Sequence, residues 1–152
     1  MTNNTQTPAT TSVADAESII PVTTPAIDMQ ELMTWIAEEK QRRDARNAKD
    51  RVALHVYLME KGVTRVDAQY DAYGDSGNVD TITLTPDSAT IGEAQESALR
   101  DFIWSMAYAL HPGFENNDGG DGEVIWDVTE DKINIEHRER FTDYNHYSHE
   151  DL

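Results

Sequence analysis

Hydrophobic positions in this chain follow a helical period, then a twofold period, and that order occurs twice. Met29, Leu32, Met33 and Ile36 recur at three- and four-residue spacing, as on one face of a helix. Asp28 before them is a predicted N-cap, with Glu31 completing a capping box and Ile27 placed to staple against Leu32. From Glu38 to Arg51 the stripe thins to Ala45 and Ala48 while charge takes over, so that stretch should be solvated. Val52, His55, Val56 and Met59 restore it, and Gly62 is a natural stop. The segment is one long helix, or two with a break near Asn47. Val63 to Asp71 then alternates, with Val66, Ala68 and Tyr70 on one face and Arg65, Asp67, Gln69 and Asp71 on the other. Val79 to Thr85 is its expected partner strand, turning Ile82 and Leu84 inward, with Gly74 to Asn78 as the hairpin loop.

The second round begins with Thr90 and Glu93, another capping-box pair. Ala94, Ala98, Leu99, Phe102, Ile103, Met106 and Leu110 form the strongest amphipathic stripe, ended by His111-Pro112-Gly113. Val124, Trp126 and Val128 face inward on a third strand, and Ile133 and Ile135 on a fourth after a turn at Thr129 to Asp131. The predicted fold is therefore α+β in αββαββ order: a four-stranded antiparallel sheet with helices packed on one face. Residues 27–152 form the single domain. Residues 1–26, rich in Thr, Ala, Asn, Ser and Pro, cannot offset the entropy of ordering and are expected to be a disordered arm, with Ile19-Ile20-Pro21-Val22 as a short docking segment.

This order locates a site. A helix of about eighteen residues rises ~27 Å, the length of a sheet. It leaves from the open end of the first hairpin and so arrives at the end holding that hairpin's tip. Asp71 to Asp80, Asn116 to Glu123 and Glu136 to Arg140 should converge there.

Charge sharpens the picture. The formal net charge is -17, and from Asp67 onward four basic residues face twenty acidic ones. Lys40, Arg42, Arg43, Arg46, Lys49 and Arg51 are half of the basic residues in the chain. Such a field repels free nucleic acid and draws in a basic protein surface, in a fast and salt-sensitive association. The chain has no cysteine, which excludes disulfides, thiolate catalysis and cysteine-ligated metals. No apolar run approaches the ~20 residues of a membrane span, and the first residues resemble no secretory leader, so a cytoplasmic location with no membrane contact is the expectation.

Candidate chemistry gathers at the converging loops. Asp71, Asp75, Asp118, Asp121 and Glu123 with His137 are the residue types of an oxygen-rich site for Ca²⁺, Mg²⁺ or Mn²⁺, with Asp75, Asp118 and Glu123 the expected ligands. The spacing matches no EF-hand, since Tyr73 stands at the third ligand position counted from Asp71. The competing account is that Asp and Asn act as turn formers beside glycines. Gly74-Asp75-Ser76-Gly77 spells a serine-protease nucleophile sequence, but the chain is too short for that two-barrel fold and lacks the G-x-S-x-G elbow, which leaves a Ser76-His137-Asp75 arrangement without support. His146-x-x-His149 lacks zinc-site spacing and reads as a solvated tail. Trp35, Trp104 and Trp126 lie in predicted core stripes and are assigned to packing.

Tyr70-Asp-Ala-Tyr-Gly-Asp-Ser-Gly77, His111-Pro-Gly-Phe-Glu-Asn-Asn-Asp-Gly119, Gly122-Glu123 with Asp127, and Glu136-His137-x-x-Arg140-Phe141 together resemble the successive signatures of an uncharacterised bacterial family. It is a domain of unknown function also met on plasmids and phages, and the similarity runs from about Ala48 to Leu152. The resemblance implies a small cytoplasmic α+β protein and no particular activity. The residues favour a binding protein over an enzyme: an acidic protein-interaction module, a mobile-element regulator or inhibitor that engages a basic or nucleic-acid-binding protein. Its expected binding surface is Asp71, Asp75, Asn117, Asp118, Glu123, Asp127, Arg138 and Arg140. The alternatives are a divalent-cation-dependent enzyme or calcium module using the carboxylate loops, and self-association of the basic helix with the acidic sheet.

Overall fold

A computed structural model of the protein describes residues 26, 28–116 and 118–150. Most of the expected arm, with Ile19 to Val22, lies outside the described residues, as do Ile27 and Asn117. The elements run α1 (Met29–Glu60), β1 (Arg65–Tyr73), β2 (Ser76–Thr85), α2 (Glu93–Leu110), β3 (Gly120–Asp127) and β4 (Lys132–Glu139), the predicted αββαββ order. All strand pairs are antiparallel, and the sheet order β2-β1-β3-β4 puts β1 and β3 at its centre. No helix among the described residues is long and apolar enough to cross a membrane.

Strand parity follows the sequence. Val66, Ala68, Tyr70 and Ala72 on β1 and Val124 and Trp126 on β3 point into one core with Leu99, Phe102, Ile103 and Ala107 of α2 and Leu54 and Leu58 of α1. Both helices pack on this face, and the other face of the sheet carries no covering element among the described residues. Two expectations about the first hairpin need correction. Its connection is the two-residue turn Gly74-Asp75, because Tyr73 pairs with Ser76. Both turn residues have positive φ, 60° and 66°, the twist that matches paired strands. The strand after it also starts earlier than Val79 and contains a bulge: Gln69 pairs with Thr81 and Tyr70 with Val79, so Asp80 is an extra residue. That residue resets the alternation and lets Val79 face the core along with Ile82 and Leu84.

α1 is unbroken, capped by Asp28 Oδ1 accepting the Gln30 amide. It ends where Val63 N–H reaches Leu58 O and Gly62 N–H reaches Met59 O, with Gly62 at φ 75°. The inward face differs from expectation, because Arg51, Leu54, His55 and Leu58 pack while Val52, Val56 and Met59 are exposed. Arg51 Nε bonds Asp131 and His55 Nε2 lies 2.7 Å from Val128 O, which ties the helix to the β3–β4 turn. α2 also starts differently, with Gly92 as its N-cap and no side-chain cap from Thr90.

The helices run antiparallel. Tyr57 meets Gly92, Asn47 meets Ser105, and Arg43 lies over the Tyr108 ring. Because α2 stops at Leu110, the first dozen or so residues of α1 extend about 18 Å past it. Met29, Leu32, Met33, Trp35 and Ile36 are all exposed there. Trp35 is thus corrected from packing to solvent, whereas Trp126 is buried and Trp104 packs against the core.

Candidate functional site

The three polar segments do meet at one sheet end. In register, Ala72 of β1 faces Gly120 of β3, which faces Glu139 of β4. Asp75 N–H donates to Glu115 O (3.2 Å) and Arg140 N–H to Gly119 O (2.9 Å), tying the hairpin tip, the α2–β3 loop and the end of β4 together. The backbones approach closely. A Cβ on Gly119 would stand 1.9 Å from Ala72 O, and one on Gly122 would stand 2.2 Å from the Tyr70 hydroxyl.

On the outer side, two arginines from the end of β4 clasp two aspartates. Arg138 Nε bonds Asp121 Oδ2 at 2.9 Å. Arg140 bonds Asp71 through Nη2, reaches Asp121 Oδ1 at 3.2 Å and Ala72 O at 3.3 Å, and so crosses three strands. The bond from Arg138 is the largest influence holding the Asp121 carboxyl below the usual carboxylate range. All members are at least partly exposed, so the clasp fixes geometry more than it adds stability.

On the inner side lies a largely aromatic arrangement. Tyr70 Oη and His137 Nδ1 are 2.8 Å apart. The His111 ring, at the C-cap of α2, stacks on His137 with centroids 3.9 Å apart, and Phe114 meets His137 edge-on at 4.9 Å. The His137 side chain is 5% exposed, and its Nε2 has no hydrogen-bond partner among the described residues. Glu139 Oε1 lies 3.8 Å from that nitrogen. Burial pushes the Tyr70 phenol up to about 12, and burial followed by the neighbouring His111 lowers His137, against the raising pull of Glu139 and Asp121. At neutral pH both rings are held uncharged.

Of the expected surface, Asp71, Glu123, Asp127, Arg138 and Arg140 share the outer side, while Asp75 is in the hairpin turn and Asp118 in the loop before β3. Asp75, Asp118 and Glu123 are not brought together. Among the described residues, the potential ligand atoms that gather within 4.8 Å belong to His111, His137 and Glu139. Ser76 Oγ donates to Tyr73 O, and His137 Nδ1 is taken by Tyr70, so no Ser-His pair forms. His146 and His149 are exposed. In the sequence His111 is a helix-terminating residue before Pro112-Gly113, and Glu139 carries no motif of its own. The usable signal was parity, since Glu139 lies two residues beyond His137 and must share its face.

Residues 86–151 match the model of a family described as a family of unknown function (DUF6878). The matched stretch includes α2, β3, β4, both arginines of the clasp, and His111, His137 and Glu139. α1 and the first hairpin precede it, so the match begins later than the similarity read from Ala48. No curated protein and no solved structure matches the chain.

Proposed function

We propose that this protein is an acidic interaction module whose bare sheet face engages a basic surface of a partner protein, in the manner of a regulator or inhibitor of a nucleic-acid-binding machine in the cytoplasm. One observation carries the reading. On that face Glu123 of β3 stands directly opposite Glu136 of β4 in register, and neither carboxylate has a bridging cation among the described residues. The nearby arginines are already engaged, Arg65 with Asp67 and Arg138 with Asp121. Like charges directly across a strand pair cost stability. A lysine or arginine brought by a partner would relieve that repulsion, so the arrangement is paired better in a complex than alone.

The overhanging part of α1 offers a second, apolar surface, of the sort that marks protein contacts. Substituting Glu123→Lys separates binding from folding. It supplies a cross-strand partner for Glu136 while giving up the pull of Glu123 on Arg65 and Arg138, so the stability of the free protein should change by no more than roughly 0.5 kcal/mol, yet it should abolish capture of the partner by immobilised full-length protein. Capture by the unaltered chain should weaken as salt rises. Equal capture by the Glu123→Lys variant, or capture indifferent to salt, would overturn the reading.

A further inference from the structure

We infer that His111, His137 and Glu139 form a binding site for one divalent transition-metal ion of the zinc, cobalt or iron class. The inference stands apart from the interaction surface, which lies on the opposite side of the sheet. Two imidazoles and a carboxylate are a donor set suited to these borderline ions, whereas Ca²⁺ and Mg²⁺ favour oxygen throughout.

Three features make this more than a chance cluster. The His137 side chain is more than nine-tenths buried, and its Nε2 lacks a hydrogen-bond partner among the described residues while lying close to His111 and Glu139. A buried, unpaired ring nitrogen is costly unless something occupies its lone pair. Its other nitrogen is fixed by the Tyr70 hydroxyl at 2.8 Å. In the tautomer whose Nδ1–H donates to the tyrosine oxygen, Nε2 is the bare donor that a metal needs, and the tyrosine is then the usual outer support of a ligating histidine. Finally, the ligands come from two directions, His111 from the end of α2 and His137 with Glu139 from alternate positions of β4. The His111 ring lies stacked on His137, centroids 3.9 Å apart, so it must turn about its side-chain bonds to bring a nitrogen to the ion that His137 meets, and the ion would then join helix to sheet. Glu139 is 66% exposed and so able to close on an ion arriving from solvent. A cleft of about 160 Å³ beside the cluster has Glu139 in its lining, with Gly113, Phe114 and Asn116. Three protein ligands leave a coordination position for water or a small ligand from this cleft.

A competing account makes the cluster packing alone, with Glu139 swinging in to accept a bond from a protonated Nε2. Binding measurements distinguish the two. Full-length protein without an affinity tag, treated with EDTA and dialysed, would be titrated with Zn²⁺ by calorimetry and with Co²⁺ by visible absorption. The expected result is one ion per chain, a raised melting temperature, and Co²⁺ bands characteristic of nitrogen and oxygen ligation. His111→Gln and Glu139→Gln, which spare the buried ring, should each weaken binding at least tenfold. Tyr70→Phe should weaken it by about 10- to 100-fold. The double substitution His146→Ala and His149→Ala should leave binding unchanged. Absence of a stoichiometric ion in the unaltered chain would overturn the inference, as would binding that survives His111→Gln combined with Glu139→Gln or that disappears with the tail histidines.

Discussion

Replacing Gly122 by alanine adds one methyl group at a crowded point of the sheet end. Gly122 lies between Tyr70 on β1 and His137 on β4 in register. A Cβ there would stand 2.2 Å from Tyr70 Oη, 2.3 Å from its Cζ and 2.5 Å from Glu136 O, where ordinary contact begins at 3.4 Å. The tyrosine is 1% exposed and surrounded by Trp104, Phe114 and His137, so its ring has nowhere to retreat. Overpacking of this kind costs about 1–3 kcal/mol. Displacing the phenol also breaks its bond to His137 and leaves buried polar groups unsatisfied, a further 1–3 kcal/mol or so. A total near 4 kcal/mol is expected, which for a domain of this size lowers the melting temperature by roughly 10–15 °C. Urea unfolding followed by tryptophan fluorescence would read it as a shift in midpoint at constant slope. The 2.5 Å approach to Glu136 O remains when the ring is removed, so in a Tyr70→Ala background Gly122→Ala should still cost stability, but about 1 kcal/mol or more less than in the parent. A Gly122→Ala variant within about 0.5 kcal/mol of the parent, or a penalty undiminished by Tyr70→Ala, would refute the reasoning.

Two neighbouring positions on α1 should respond oppositely, since Leu58 is 1% exposed and Val56 is 53% exposed. Leu58→Ala should cost about 2–5 kcal/mol in urea unfolding and Val56→Ala no more than about 0.5 kcal/mol; similar costs would mean that the inward face is misplaced. In the overhang, Met33→Gln and Ile36→Gln should each change unfolding free energy by less than about 0.5 kcal/mol at micromolar protein concentration. A larger loss would show that the stripe is already covered in the free protein.

The fold was legible because its signals are local. Alternation at Val66-Ala68-Tyr70 and Val124-Trp126-Val128, and the stripe through Leu99, Phe102 and Ile103, each report one side of one element, and helix length then dictated which loops meet. What escaped depends on neighbours. Periodicity says that Met29, Leu32, Met33 and Ile36 share a face, but it cannot say that α2 ends before reaching them. In the lower part of the same helix, Val52, Val56 and Met59 offered as good a stripe as Leu54 and Leu58; the choice was settled by Arg51 and His55 finding Asp131 and the Val128 carbonyl across the chain. The bulge at Asp80 was hidden because one extra residue preserves composition while shifting parity. The histidine cluster draws Tyr70, His111, His137 and Glu139 from three elements, and nothing in the spacing of 70, 111 and 137 announces that they touch.

The thickness of one sheet separates two kinds of chemistry at this end, and the division follows from side-chain alternation on β4. Glu136, Arg138 and Arg140 continue one series and face solvent, where charge is inexpensive and exchangeable. His137 and Glu139 continue the other, where His137 is excluded from water and cannot easily accept a proton. Charge therefore accumulates outside, suited to meeting another macromolecule, while a neutral nitrogen donor is kept inside, suited to an ion that supplies its own charge. Asp121 is felt on both sides: it bonds Arg138 and Arg140 outside, and its field raises the phenol of Tyr70, against the lowering pull of Arg138, and opposes the lowering of His137 within. The glycines at 119, 120 and 122 are what let these layers lie so close, because any side chain there would enter Ala72, Arg138 or Tyr70. A loop built only to turn the chain would not require three such approaches in four residues. Their concentration between the clasp and the histidines points to the geometry of this sheet end, rather than the hairpin tip itself, as what the local sequence is shaped to hold.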